Sequence, residues 1–185
     1  MEISFTSKLI PVKSSEFCRR TASFNQNNFV DYPWTVSTSR VATDVYTNNI
    51  CDCSVCLITD GQKALLMHLS PARKGNHDFS NVLKYISNNM DLNNKDLQSI
   101  LIGSKPLAPS LDIFNKFKNL LNILNIPTTI LENGKGATHI AYRTCTDEVI
   151  ISNIKINKLL DAGCNNRDAI FNGFENVKIS DCDYI

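Results

Sequence analysis

Two short apolar runs joined by an Asp-Gly turn constrain this chain more than any other stretch. The first run extends from Cys53 to Asp60, and the second extends from Lys63 to Leu69. Asp-Gly between two apolar runs is a strong short-range signal for a β-hairpin. The stretch therefore predicts two antiparallel strands, and the apolar character of the first run is typical of a buried strand.

The rest of the chain alternates between predicted strands and two helices. Apolar residues at helical spacing predict a helix over Asp78–Asn88, capped by Asp78 or Ser80, and a second over Ser110–Leu124, capped by Ser110. In that second helix an apolar face is expected to include Leu111. Strands are predicted over Glu2–Val12, Leu97–Gly103, Thr128–Leu131, Thr138–Arg143 and Glu148–Ser152, with one or two more between Phe29 and Val45. This alternation predicts an α+β fold, a mixed β-sheet sandwich flanked by helices.

The polar stretches at both ends suggest a division into three parts. Residues 1–36 are expected to be a leader or cap with weak structure, residues 37–162 a single domain, and residues 163–185 a loosely attached tail. The segment Ile154–Leu160 is expected to form a last helix or strand.

Charge and cysteine usage limit the classes of partner and the compartment. A net charge of +1 with scattered basic residues gives no basis for binding nucleic acid or an anionic membrane. No run is long enough to be a transmembrane helix, and the N-terminal stretch is a poor secretory signal. The chain has seven cysteines, which is an odd number, and several of them are clustered. Both features predict reduced thiols rather than a disulfide framework. Both a cytoplasmic location and export into a host cytosol by a dedicated secretion system agree with this.

The cysteines around the first apolar run suggest a chemistry. Cys51 and Cys53 lie on a polar turn, Cys56 lies inside the predicted strand, and His68 lies on the returning strand. Nucleophilic cysteine catalysis needs a thiol close to a base, and a third group that orients the base. Cys53 is the candidate nucleophile because it immediately precedes the strand, and His68 is the candidate base and acid. Thr47 is the candidate group that orients the imidazole.

Simpler interpretations of the same residues stay open. Cys51 is a rival nucleophile, Cys53 is alternatively a buried structural thiol, and His68 is alternatively a hydrogen-bonded histidine of the core. Backbone N–H groups near residues 51–53 are candidates for stabilising an oxyanion.

A further group of motifs follows in a fixed order. It consists of Leu101-Ile102-Gly103, Asn125-Ile126-Pro127, Glu132, Gly134 and Tyr142 to Val149. Together with Thr47, Cys53 and the segment Leu66 to Pro71, these motifs resemble the chemoreceptor glutamine deamidases, the CheD family. The resemblance covers roughly positions 37 to 155. It implies a deamidase-like fold and hydrolysis of a glutamine side-chain amide of a protein substrate through a cysteine thioester.

Two departures from the family bear on the substrate. Asp52 stands where the family has serine before the nucleophile, and Ala137-Thr138 stand where it has Gly-Arg. The second departure favours the related cytotoxic necrotising factor toxins, whose cysteine-histidine chemistry is similar, and hence a bacterial toxin or effector acting on a host protein. A chemoreceptor-modifying deamidase, a transglutaminase and a non-catalytic binding module with the same fold remain alternatives.

Two other sites deserve comparison with this one. Cys51, Cys53 and Cys56 resemble part of a zinc site, which Cys145, Cys164, Cys182 or His77 would complete. Alternatively, His139 is the base for Cys53, with Asp147 or Asp161 as its orienting residue. The sequence has no glycine-rich phosphate loop, so no nucleotide cofactor is expected, and the preferred site needs no metal. The oligomeric state is not indicated.

Overall fold

The computed structural model describes residues 7–31, 38–71, 78–103, 108–133 and 136–154. Three α-helices lie in this part of the chain: α1 (Ser14–Thr21), α2 (Phe79–Asn89) and α3 (Ala108–Ile123). Its strands are β1 (Lys8–Val12), β2 (Thr38–Ala42), β3 (Asp44–Ile50), β4 (Ser54–Thr59), β5 (Ala64–Leu69), β6 (Gln98–Gly103), β7 (Thr128–Glu132), β8 (Thr138–Arg143) and β9 (Glu148–Ser152).

The strands form two mixed sheets. A four-stranded sheet has the order β1-β9-β8-β3, and its β1–β9 pair is parallel. A five-stranded sheet has the order β2-β5-β4-β6-β7, and its β6–β7 pair is parallel. The other neighbouring pairs are antiparallel. The predicted α+β class with mixed sheets and flanking helices is confirmed.

The hairpin that the sequence predicts lies at the centre of the five-stranded sheet. Strands β4 and β5 pair from Ser54 opposite Leu69 to Thr59 opposite Ala64. Gly61 has a positive φ of 83°, and the Asp60 carboxylate accepts the backbone N–H of Lys63. Both strands are buried along their whole length, because protein layers cover both faces of the sheet.

The space between the two sheets is filled by side chains from both. On β4, Val55 and Leu57 contribute to this inner core, whereas Cys56 and Ile58 point to the opposite face of the sheet. This alternation is the ordinary period of a strand. The four-stranded sheet contributes residues such as Val45, Ile140, Tyr142, Val149 and Ile151.

Helices cover the outer face of each sheet. Helices α2 and α3 pack on the five-stranded sheet, while Phe17 of α1 packs against Ala141 and Ile150 of the four-stranded sheet. The Asp78 carboxylate caps α2 by accepting the backbone N–H of Ser80, as the sequence predicts. The described chain is thus built in four layers, with the helices outside and the two sheets inside.

Helix α3 begins earlier than predicted, and a different side of it faces the core. It starts at Ala108, so Ser110 lies inside the helix with a buried side chain instead of capping it. Leu111 is 42% exposed, and Ile113 takes the place expected for it on the buried face. The positions buried on this helix repeat at intervals of three and four residues from Ser110, which leaves Leu111 about 120° away from the middle of the buried face.

The N-terminal segment differs from the weak structure expected of residues 1–36. Strand β1 pairs with β9 from Lys8 to Val12, and Phe17, Phe24 and Val30 are buried. The short helix α1 has no strong sequence signal, because Phe17 is its only apolar side chain that reaches the core. The expected element at Ile154–Leu160 lies mostly outside the described residues, and the tail at residues 163–185 lies entirely outside them.

None of the helices in the part of the chain that the structure describes is long and apolar enough to span a membrane.

Gly103, the last residue of β6, is expected to resist substitution by alanine. Its φ is +155°, and a Cβ atom would lie 3.0 Å from Ser54 Oγ and 3.1 Å from Phe114 Cδ2. We expect Gly103→Ala to lower the free energy of unfolding by about 2–3 kcal/mol, through backbone strain and overpacking together. Urea unfolding followed by circular dichroism measures this.

Gly61→Ala is the matched control for strain without crowding. Gly61 also has a positive φ, of 83°, but no described atom lies within 4 Å of its Cβ position. The expected loss is only about 1 kcal/mol. Equal losses in the two variants would contradict the close packing at Gly103.

Candidate active site

Thr47 and His68 meet between the two sheets. Thr47 belongs to β3 of the four-stranded sheet, and His68 belongs to β5 of the five-stranded sheet. Thr47 Oγ1 lies 2.6 Å from His68 Nδ1, and both side chains are 0% exposed. Two residues that the sequence predicts to act together are therefore in direct contact across the inner core.

The hydrogen bonds of Thr47 determine the tautomer of His68. Thr47 Oγ1 donates its single proton to the carbonyl oxygen of Val30, 2.6 Å away. Towards His68 the hydroxyl oxygen consequently acts as acceptor, so Nδ1 carries the ring proton of the neutral imidazole. Nε2 is then the basic atom of the ring.

Cys53 lies on the same face of the five-stranded sheet as His68. Val55 is directly opposite His68 in the β4–β5 pair, and Cys53 is two residues before Val55. Cys53 is 7% exposed and belongs to the inner core together with Val55. This makes Cys53 a diagonal neighbour of His68, a spacing of about 7–8 Å between Cα atoms that a long side chain can bridge.

The turn from β3 into Cys53 is held by unusual backbone geometry and by a distant amide. The β3–β8 pairing is irregular between Thr47 and Ile50, and Asn49 has a positive φ of 55°. Asn133 Nδ2 donates to the carbonyl oxygen of Cys51 at 3.0 Å. The turn that carries both candidate nucleophiles is thus fixed from two sides, and Cys51 is the more exposed of the two thiols.

Burial keeps His68 neutral. It lowers the pKa of the imidazole from the ordinary 6.5 to about 3. At neutral pH the imidazole is therefore uncharged. For Cys56, which points into the opposite core, burial raises the pKa of the thiol far above its usual range. This thiol remains protonated and has no route to the inner face, so it is a structural residue.

The alternative base, His139, faces away from Cys53. Its ring stacks on Phe17 with the centroids 5.3 Å apart, on the outer face of the four-stranded sheet. The neighbouring residue Ile140 pairs with Thr47 and points into the inner core, so His139 points outward. Burial lowers the pKa of His139 to about 4, and its Nδ1 accepts the N–H of Asn49. The arrangement makes His139 a packing residue.

The acidic partners of that alternative are also misplaced. Asp147 accepts a hydrogen bond from Tyr142 at the β8–β9 turn, whereas His139 lies at the other end of β8. Asp161 lies outside the described residues.

The three neighbouring cysteines do not form a zinc site with one another. Cys53 faces the inner core and Cys56 faces the helices, so the two thiols lie on opposite sides of one sheet. Across the described ranges no three His, Cys, Asp or Glu side chains are grouped to hold a metal ion. Cys145 is exposed at the β8–β9 turn, and His77, Cys164 and Cys182 lie outside those ranges.

No protein-family model matches the chain, and no curated protein matches it either.

Two parts of the site had no signal in the sequence. The acceptor for Thr47 is a backbone carbonyl, that of Val30, which no residue type reveals. Asn133 stands next to Glu132, which the family resemblance singles out, but an isolated asparagine after a strand is more typical of a turn than of a site. Only their positions in space relate them to Cys53.

Removing the Thr47 hydroxyl is expected to change both stability and the tautomer of His68. Thr47→Val deletes the hydrogen bonds that the Thr47 hydroxyl makes to the Val30 carbonyl and to His68 Nδ1 in the core. We expect the free energy of unfolding to fall by about 2–3 kcal/mol. Nitrogen NMR of the imidazole should also show the ring proton redistributed between Nδ1 and Nε2.

Thr138→Val is the matched control. Thr138 is equally buried, and its hydroxyl donates to the carbonyl of Asn153 at 2.9 Å without touching a histidine. It should lose comparable stability and leave the His68 nitrogen signals unchanged. Unchanged signals in Thr47→Val itself would contradict the assigned tautomer.

Acidification is expected to destabilise the fold through His68. The folded pKa of about 3 lies below the unfolded value of 6.5, so below pH 6.5 the unfolded chain binds a proton that the folded protein does not. The contribution of His68 to the free energy of unfolding is therefore fully present above pH 6.5 and declines as the pH falls towards 3. Between pH 7 and pH 5 we expect wild type to lose about 2 kcal/mol more than His68→Gln in urea unfolding. Parallel losses in the two proteins would contradict the lowered pKa.

Proposed function

We propose that this protein is a protein glutamine deamidase, with Cys53 as nucleophile, His68 as base and acid, and Thr47 as the residue that orients the imidazole. The observation that carries the proposal is the contact between Thr47 Oγ1 and His68 Nδ1, which leaves Nε2 as the basic atom on the face that also bears Cys53. An orienting group, a base and a thiol in this order are the parts that nucleophilic cysteine catalysis requires.

The reaction begins from a neutral pair. As the Cys53 sulfur attacks the carbonyl carbon of the glutamine side chain, its proton passes to His68 Nε2. The imidazolium then gives this proton to the amide nitrogen, the C–N bond breaks, and ammonia leaves a thioester on Cys53. Water, activated by His68, hydrolyses the thioester, which yields glutamate and regenerates the thiol. Thr47 stabilises the transient imidazolium because its oxygen accepts the Nδ1–H hydrogen bond.

Limited access to the thiol supports a side-chain amide as substrate. Cys53 is only 7% exposed, so the reacting group has to be slender. The end of an unbranched glutamine side chain meets this requirement, whereas a peptide bond with two flanking chains does not. The site therefore favours deamidation over proteolysis.

The fold supports the same proposal in a coarser way. The protein is an α+β sandwich of two mixed sheets, and Cys53 immediately precedes a central strand. The CheD-like or necrotising factor-like fold that the sequence resembles is part of the proposal. The substrate would be a protein bearing an exposed glutamine, either a host protein, if the chain is a toxin or effector, or a bacterial chemoreceptor. Location in the producer's cytoplasm or in a host cytosol follows from that substrate.

The test is conversion of glutamine to glutamate in whole proteomes. We expect purified protein, added to bacterial or mammalian lysate in heavy-oxygen water, to release ammonia and leave labelled glutamate at particular sites, read by mass spectrometry. Cys53→Ser and His68→Gln should lower the rate at least about 1000-fold, the scale of losing a nucleophile or general base. A labelled site in the mammalian lysate would indicate a host protein as substrate, and one in the bacterial lysate would indicate a chemoreceptor.

Matched variants control for the loss of a thiol or an imidazole as such. Cys145→Ser removes an exposed thiol, and His139→Gln removes the outward-facing imidazole. Both should keep activity. Loss of activity in Cys51→Ser with retention in Cys53→Ser would move the nucleophile by two residues, and incorporation of a fluorescent amine in place of water would indicate transglutamination. An inert wild-type protein in all lysates would refute the enzyme and favour a binding module.

A further inference from the structure

Asn133 connects the end of β7 to the cysteine turn. Its side chain is 7% exposed, and its Nδ2 donates to the carbonyl oxygen of Cys51 at 3.0 Å. The two residues are 82 positions apart in the chain, so only the tertiary fold brings them together.

The direction of the Asn133 carboxamide is fixed by chemistry. A carbonyl oxygen only accepts hydrogen bonds, so the end that faces Cys51 has to be the NH2 group, and Oδ1 points away from it. Within the part of the chain that the structure describes, this buried Oδ1 has no hydrogen-bond partner. A buried acceptor without a partner is costly, which indicates that a donor binds there in the functional state.

The carbonyl that Asn133 holds lies two residues before the candidate nucleophile. Cys51 and Cys53 are two residues apart, which limits their Cα separation to roughly 7 Å. From the other side, Glu132 pairs with Gly103, and a Cβ atom on Gly103 would lie 3.5 Å from the carbonyl oxygen of Cys53. Asn133 therefore adjoins the turn from which the Cys53 thiol projects.

We propose that Asn133 Oδ1 accepts an N–H of the substrate's primary carboxamide and so selects an amide over a carboxylate at this site. The inference rests on the proposed function. A carboxamide offers two N–H donors, whereas the carboxylate of the product offers none and would place its negative charge against the Asn133 oxygen. The same contact that binds glutamine thus disfavours glutamate, and product leaves once the C–N bond is broken.

The test uses two small thiol reagents that differ in this group alone. Iodoacetamide carries a primary carboxamide and iodoacetate carries a carboxylate, and mass spectrometry of the peptide containing Cys53 measures the rate of each. Dividing by the rate with glutathione removes their intrinsic difference. We expect wild type to prefer iodoacetamide and Asn133→Ala to lower this preference about threefold to tenfold, the effect of one hydrogen bond.

A second variant separates binding from scaffolding. Asn133→Asp has the same shape and keeps an acceptor, but it loses the N–H that holds Cys51. The charge that Asn133→Asp introduces lowers the iodoacetate rate in any case, so the iodoacetamide rate is compared here. If Oδ1 binds the carboxamide, Asn133→Asp keeps the wild-type iodoacetamide rate, whereas a merely structural Asn133 loses this rate in both variants. Asn153→Ala is the matched control: Asn153 is similarly buried, its Nδ2 donates to the carbonyl of Ala137 at 3.0 Å, and its removal should leave the preference intact.

The outcomes distinguish this inference from the proposed function. Equal preferences in wild type and Asn133→Ala overturn the role of Asn133. If Asn133→Ala does not fold, a lower iodoacetamide rate in Asn133→Asp than in wild type overturns it instead. A Cys53 thiol that neither reagent modifies overturns both the inference and the nucleophile. A preserved preference without glutamine conversion in any lysate supports the amide site and overturns only the deamidase.

Discussion

The hydrogen-bonded chain from Val30 through Thr47 to His68 is the interaction on which the rest of the inner core depends. An imidazole with no solvent exposure is expensive to bury, and the Thr47 hydroxyl offsets part of that cost by serving as donor to Val30 and acceptor from Nδ1. Because Thr47 and His68 belong to different sheets, the same contact fixes how the sheets face each other at this point. A polar pair inside an apolar layer specifies one alignment where apolar side chains alone would tolerate several.

Because side chains alternate along β4, its cysteines lie in two different environments. Cys53 and Val55 face the inner core, while Cys56 faces the layer formed by α2 and α3. The inner thiol has an imidazole two positions diagonally across the hairpin, whereas burial raises the pKa of the outer thiol and makes it inert. A shift of register by one residue would exchange the faces of the two cysteines, so the pairing of the buried hairpin determines which thiol shares a face with His68.

The turn from Cys51 to Cys53 lies where several strands begin or end, and contacts from these strands hold it in place. The start of β4 meets the ends of β6 and β7, which bring Gly103 and Asn133 against the turn from Cys51 to Cys53. Because Gly103 has no side chain, the end of β6 can lie close to Ser54 and Phe114. Asn133 donates a hydrogen bond to the Cys51 carbonyl. The strands are rigid elements, so their contacts fix the position of the turn although its own backbone is irregular.

The sequence by itself determined the hairpin, most strands and the class of fold, because alternation, turn chemistry and apolar runs are local signals. It also singled out Thr47 and His68, which are in direct contact, whereas the roles of these two residues and of Cys53 stay predictions. It did not determine the rotation of α3, where Leu111 is exposed, or the packing of residues 8–30 against the four-stranded sheet, because both depend on surfaces from distant segments. Tertiary structure alone decided that His139 faces outward while His68 faces inward, although both lie on strands. It also brought the Val30 carbonyl and Asn133 to the site, since contacts across many residues of chain leave no periodic pattern that a reader of the sequence can detect.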